Sequence, residues 1–135
     1  MQRLVADTNC LLASINPRGA YFKLYELFIA RELEWVFSNE ILTEYEEQVT
    51  RRYSVRTAQQ VHDVLTTAPN AYFQEAYYKW QLIEADPDDN KFVDVAIAAN
   101  ADFLVTNDKH FDVLKQVEFP RVPIISFQDF LTNFQ

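Results

Sequence analysis

The chain is 135 residues long, 49% hydrophobic and 15% aromatic, which suits one compact domain over residues 1–135 with its own apolar core. Its single glycine, Gly19, excludes phosphate-cradling loops and dinucleotide fingerprints, and its single cysteine, Cys10, excludes an internal disulfide and a cysteine-ligated zinc site. Twenty acids against twelve bases leave a net charge of −8, which repels nucleic acid and anionic membrane unless basic residues cluster or a metal ion intervenes.

In chain order, Arg3 to Ala6 is a β-rich run that stops at the polar triplet Asp7-Thr8-Asn9 and reads as a buried strand entering a loop. Tyr21, Leu24, Tyr25, Leu27 and Phe28 recur at helical spacing between Ala20 and about Arg31. Trp35 to Phe37 is a second strand, and Ser38 or Asn39 caps a helix running to about Arg52. Another helix spans Val55 to Ala68 and stops near Pro69. The aromatic-rich stretch from Asn70 to Ile83 suits either state.

Beyond it, Asp86 caps a helix with Pro87 at its first position, and this helix carries Phe92, Val93, Ala96 and Ile97 to about Ala99. Phe103 to Val105 is a strand ending at Thr106-Asn107-Asp108, and a short helix follows. Pro123 to Ser126 and Phe127 to Phe134 read as a last strand and a closing helix. Alternating strands and helices predict a three-layer α/β/α sandwich around a mainly parallel sheet. No apolar run suits a signal peptide or a membrane span, so the expectation is a cytoplasmic protein with no membrane partner.

Two strands run directly into an aspartate, Asp7 and Asp108. Ligands of open α/β sheets sit outside the carboxyl ends of the strands, so the two acids share a crevice if their strands are neighbours. On the helix after Asp86, Asp89 lies near the middle of the apolar stripe and Asp94 toward the opposite side, which favours Asp89. The helix from Asn39 is less decisive. Ile41, Leu42, Tyr45 and Val49 set its apolar face, Glu44 and Glu46 flank its edges, and periodicity places Glu46 nearer the core.

Carboxylates converging on one site raise one another's pKa unless a cation joins them. Oxygen ligands without thiolates or paired histidines suit Mg²⁺ or Mn²⁺. Plainer readings stand beside these: Asp7 and Asp108 as helix caps, Asp86 to Asp89 as a helix start, the aromatic excess as core, and His62 and His110 as surface residues.

Four pieces in this order resemble the PIN-domain family, and within it the toxin components of toxin–antitoxin systems: strand-Asp-Thr-Asn, Ser38 to Glu44, Asp-Pro-Asp-Asp-Asn-Lys-Phe, and Leu-Val-Thr-Asn-Asp-Lys. The resemblance runs from Leu4 to about Leu131. It implies a catalytic and metal-binding quartet of Asp7, Glu44, Asp89 and Asp108, and so selects Glu44 where periodicity does not.

Thr8, Asn9, Thr106 and Asn107 match supporting polar positions, and Asn90 matches a position that is often Asp in relatives. Asn107 stands where relatives often have Gly, and Asn tolerates a left-handed backbone. The implied activity is Mg²⁺- or Mn²⁺-dependent endoribonuclease cleavage by in-line attack of water on the scissile phosphate. Lys91 and Lys109 are then candidates for neutralising phosphate, and Arg51, Arg52 and Arg56 for tracking RNA. An antitoxin partner and a homodimer are implied as well. Two alternatives stay open: the net charge favours a catalytically silent PIN-fold module that docks a protein partner, and the same acidic geometry would serve a metal-dependent DNA nuclease or phosphatase.

Overall fold

The computed structural model describes residues 1–133. Five short strands build its centre: β1 (Gln2–Ala6), β2 (Leu33–Phe37), β3 (Ala71–Phe73), β4 (Phe103–Val105) and β5 (Ile124–Ile125). They lie in the order β3-β2-β1-β4-β5, and every neighbouring pair is parallel. Leu4, Val5 and Ala6 are consecutive and all fully buried, so both faces of the sheet are covered, as a parallel sheet between helical layers requires. The predicted sandwich is therefore the observed one, with a wholly parallel sheet.

The helices are α1 (Thr8–Ser14), α2 (Phe22–Ile29), α3 (Asn39–Arg52), α4 (Val55–Thr67), α5 (Asn90–Ala98) and α6 (Phe127–Asn133). Local chemistry sets their starts. Asp7, Ser38 and Ser54 are extended and accept a backbone N–H from the first turns of α1, α3 and α4. Asp7 thus opens a helix at once, where the polar triplet suggested a loop; the helix lasts only seven residues, too short for a clear periodic signal. The helix expected from Asp86 is split. Asp86 caps a 3₁₀ turn over Pro87–Asp89, and α5 starts at Asn90. Residue 134 of the expected closing helix lies outside the described residues.

The ambiguous stretch resolves into β3 and an extended segment that runs back along α5. Asn70 anchors its start, donating from its buried amide to the carbonyls of Phe28 and Leu33. Asp94 accepts the backbone N–H of Trp80, and Asn90 bonds both backbone groups of Ile83. This segment buries Asp94, which periodicity had placed away from the core. Burial raises the pKa of Asp94 from its ordinary value, against the lowering effect of its bond to Trp80.

Eight aromatics are buried in the core, and others pack against it. Phe28 meets Trp35 edge-on at 5.5 Å, and Tyr21 stacks on Phe127 at 4.3 Å. The buried Tyr45 hydroxyl donates to the carbonyl of Ala6 and accepts the indole N–H of Trp35 at 3.3 Å. Tyr45→Phe removes both bonds and leaves two buried polar groups unpaired, so a loss of about 2 kcal/mol is expected in urea denaturation.

Candidate active site

The strand order reverses at β1, whose neighbours β2 and β4 lead the chain in opposite directions from the centre. That switch point leaves a crevice at the carboxyl ends of β1 and β4. Ala6 pairs with Val105, so the residues that follow each strand emerge side by side. Asp7 is one of them and is only 6% exposed. Its Oδ1 accepts the backbone N–H of Cys10 at 2.9 Å and its Oδ2 accepts the hydroxyl of Thr106. Burial raises its pKa above the ordinary carboxylate value; the bonds from Thr106 and Cys10 pull the other way, and the charge of Asp108 adds to the rise.

Thr106 also ties in the next acid. Its hydroxyl oxygen accepts the N–H of Asp108 at 3.0 Å, so one threonine braces both strand-end aspartates. Asp108 in turn caps the 3₁₀ helix Lys109–Gln116, accepting the N–H of His110 at 2.9 Å. The imidazole of His110 then lies between two acids: Nδ1 is 3.4 Å from Asp108 Oδ1 and 3.5 Å from Asp89 Oδ2. Asp89 Oδ2 is buried and has no hydrogen-bond partner. Its burial, with the charges of Asp86 and Asp108, pushes the Asp89 pKa up to about 6, with His110 partly offsetting the rise.

Glu44 completes the quartet. It sits on α3 and reaches α1 and α5 together, its Oε2 accepting the Thr8 hydroxyl and its Oε1 pairing with Lys91 Nζ at 2.6 Å. Glu46, the neighbour that periodicity favoured, instead pairs with His62 on α4. Contacts run Asp7–Thr106–Asp108–His110–Asp89 and link three of the predicted acids, while Glu44 is tied to Thr8, the residue after Asp7, and to Lys91.

The supporting residues divide. Thr8 and Thr106 touch the acids directly, whereas Asn9 is exposed on α1. Asn90 braces the covering segment, and Asn107 accepts the N–H of Phe127 at 2.9 Å, tying this loop to α6. The left-handed positions outside glycine are Arg31, Gln81 and Asn100, so Asn107 is here for its side-chain bond and not for its backbone.

The basic residues divide as well. Lys109 lies on the rim of a cleft of about 290 Å³ that it shares with Asp108 and Lys115. Arg51, Arg52 and Arg56 are exposed around the turn between α3 and α4. Lys91 departs from the expectation that it faces phosphate. It is 7% exposed, and its ammonium contacts Glu44 Oε1, Asp88 Oδ1 at 3.1 Å and the Asp88 carbonyl at 2.7 Å. Burial alone would lower its pKa, but the bonds to Glu44 and Asp88 outweigh it and hold the ammonium charged.

The His110 ring is half exposed, as a surface residue's would be; its place among the acids has no signal in sequence spacing. Ligand atoms of Asp86, Asp89 and His110 all fall within 4.8 Å of one another, close enough to share one ion. The orphaned oxygen of Asp89 and the all-oxygen and imidazole donor set fit a divalent cation.

A wholly parallel five-stranded sheet with acids gathered at its switch point defines an α/β protein with a carboxylate-lined mouth. A sequence model described as PIN domain matches residues 3–110, and the chain belongs to that family. No curated protein matches it. Among solved structures the fold is similar to VapBC2 of Rickettsia felis bound to a DNA fragment from its promoter, with a TM-score of 0.63 and 18% identity over 93% of this chain and 98% of that one. It is similar too to VapC20 of Mycobacterium tuberculosis, described as a sarcin–ricin loop cleaving toxin, with a TM-score of 0.61 and 16% identity over 81% of this chain and 92% of that one. DNA-bound VapBC of Salmonella typhimurium gives a TM-score of 0.61 at 13% identity over 94% and 99%. No helix among the described residues is long and apolar enough to cross a membrane.

Proposed function

We propose that this chain is a metal-dependent endoribonuclease, the toxin component of a toxin–antitoxin pair, with Asp7, Glu44, Asp89 and Asp108 as its catalytic and metal-binding acids. The contacts that link Asp7, Asp108 and Asp89 through Thr106 and His110, with Glu44 held beside them on Thr8, carry the proposal. Membership of the PIN family and the likeness to VapC20, which is described as a sarcin–ricin loop cleaving toxin, support it.

Asp7, Asp89 and Asp108 would hold Mg²⁺ or Mn²⁺, with Asp86 and His110 beside them. When bound, such an ion supplies Lewis-acid polarisation of the phosphodiester and offsets charge that develops during hydrolysis. The protein's own share is positioning. Thr106 fixes the strand-end acids, and Thr8 aims Glu44 toward the mouth, where it orients the attacking water. Lys109, on an adjoining cleft that also holds Asp108, Asp112, Asp129 and the Asp112-paired Lys115, and the exposed Arg51, Arg52 and Arg56 are the cations that would meet the RNA backbone. An antitoxin subunit, a second copy of the chain and a cytoplasmic setting belong to the same proposal.

The test offers a mixed RNA pool, a flap DNA and a chromogenic phosphate ester to the protein in Mn²⁺ or Mg²⁺, beside Asp108→Asn. Metal-dependent cleavage of RNA that the variant lacks is expected. Equal cleavage by both proteins overturns the assignment, and preference for DNA or the ester moves it to another phosphate hydrolase. No hydrolysis together with no Mn²⁺ uptake by calorimetry leaves the docking module, the reading that the net charge of −8 favours.

A further inference from the structure

Lysine is rarely buried, and an ammonium withdrawn from water is costly unless every N–H finds an acceptor. Lys91 meets that condition with three acceptors for three donors: Glu44 Oε1, Asp88 Oδ1 and the Asp88 carbonyl. No donor remains for a phosphate oxygen. Glu44 is held at both oxygens, one by Thr8 from α1 and the other by Lys91 from α5. Asp89 Oδ2, by contrast, is buried and forms no close hydrogen bond, its nearest donor being His110 Nδ1 at 3.5 Å. The two sides of the site therefore differ: one carries a cation of its own, and the other has an open carboxylate oxygen.

We propose that Lys91 is a positioning residue whose ammonium stands as a built-in cation at Glu44, so that the site takes one divalent ion, on the Asp89 and Asp108 side, and not two. This rests on the metal-site reading above. On it, Glu44 acts from an orientation set by Lys91 and Thr8, and the positive charge that a second ion would bring is supplied by the protein. Replacing the ammonium by a neutral group frees Glu44 and Asp88 together and opens a place for another ion.

Counting ions tests this without any turnover. Metal-free full-length protein is titrated with Mn²⁺, following free ion by electron paramagnetic resonance and binding by calorimetry. One Mn²⁺ per chain is expected for the wild type and for Lys91→Arg, which keeps the charge. Lys91→Gln is expected to bind two, and Lys91→Gln combined with Glu44→Gln to return to one. Two ions in the wild type, or one in a folded Lys91→Gln, overturn the proposal while leaving the metal site standing. Zero ions in the wild type overturn the metal-site reading itself. Should Lys91→Gln fail to fold, the wild-type and Lys91→Arg counts decide.

Discussion

Asp7→Asn is expected to fold normally and to lose RNA hydrolysis by on the order of 10²–10³-fold. The structure separates the two roles of this side chain. As the cap of α1 it needs one oxygen to accept the Cys10 N–H, and Asn supplies that as well as Asp. The amide then faces the Thr106 hydroxyl, which accepts as readily as it donates, so the brace between the strand ends persists. What is lost is the negative charge beside Asp108, and with it a ligand for the proposed ion. Circular dichroism of Asp7→Asn should match the wild type, and in chelator near pH 7 its urea stability should equal or exceed it, because burial penalises only the charged carboxylate. Activity that survives the substitution would place the chemistry elsewhere.

Much of this architecture was legible in the sequence, because its signals are local. Strand runs that lead into an aspartate place Asp7 and Asp108 at the carboxyl edge, whereas the helical period is no guide to Asp89, which lies in a 3₁₀ turn before α5. The rest depends on contacts between distant segments. Glu44 is oriented by Thr8, 36 residues before it, and by Lys91 on α5, so the period of α3 alone favoured Glu46. Lys91 reads as a surface charge until its acceptors are known, and His110 reads as an isolated histidine until the 3₁₀ helix turns it between two acids. The burial of Asp94 has the same origin, a segment without regular structure that lies over α5. Asn107, whose type suits a left-handed backbone, is instead placed by a bond to Phe127, 20 residues later.

Asp89→Asn is expected to stabilise the metal-free protein at neutral pH by about 1–2 kcal/mol, raising its melting temperature by roughly 3–6 °C. The carboxyl pKa rises from an ordinary 3.8 to about 6 in the folded chain, through burial and the charges of Asp86 and Asp108. The folded state therefore holds this proton more tightly than the unfolded state. Stability from protonated Asp89 is present in full below about pH 4 and is lost as pH rises through about 6. A shift of about two units corresponds to roughly 3 kcal/mol, which solvent at the open mouth reduces to the smaller figure. Asn is neutral at every pH and gives the orphaned position an N–H donor facing two acids, so its advantage should appear near pH 7 and vanish near pH 4. Divalent ion should reverse the order: Mn²⁺ binds the folded wild type and raises its stability, whereas the variant, lacking a ligand, gains little. Urea titrations at pH 4 and 7, each with chelator and the latter also with Mn²⁺, measure both effects. A variant less stable than the wild type at pH 7 in chelator would show that ionised Asp89 strains nothing, and that the acids at the mouth are compatible without a cation.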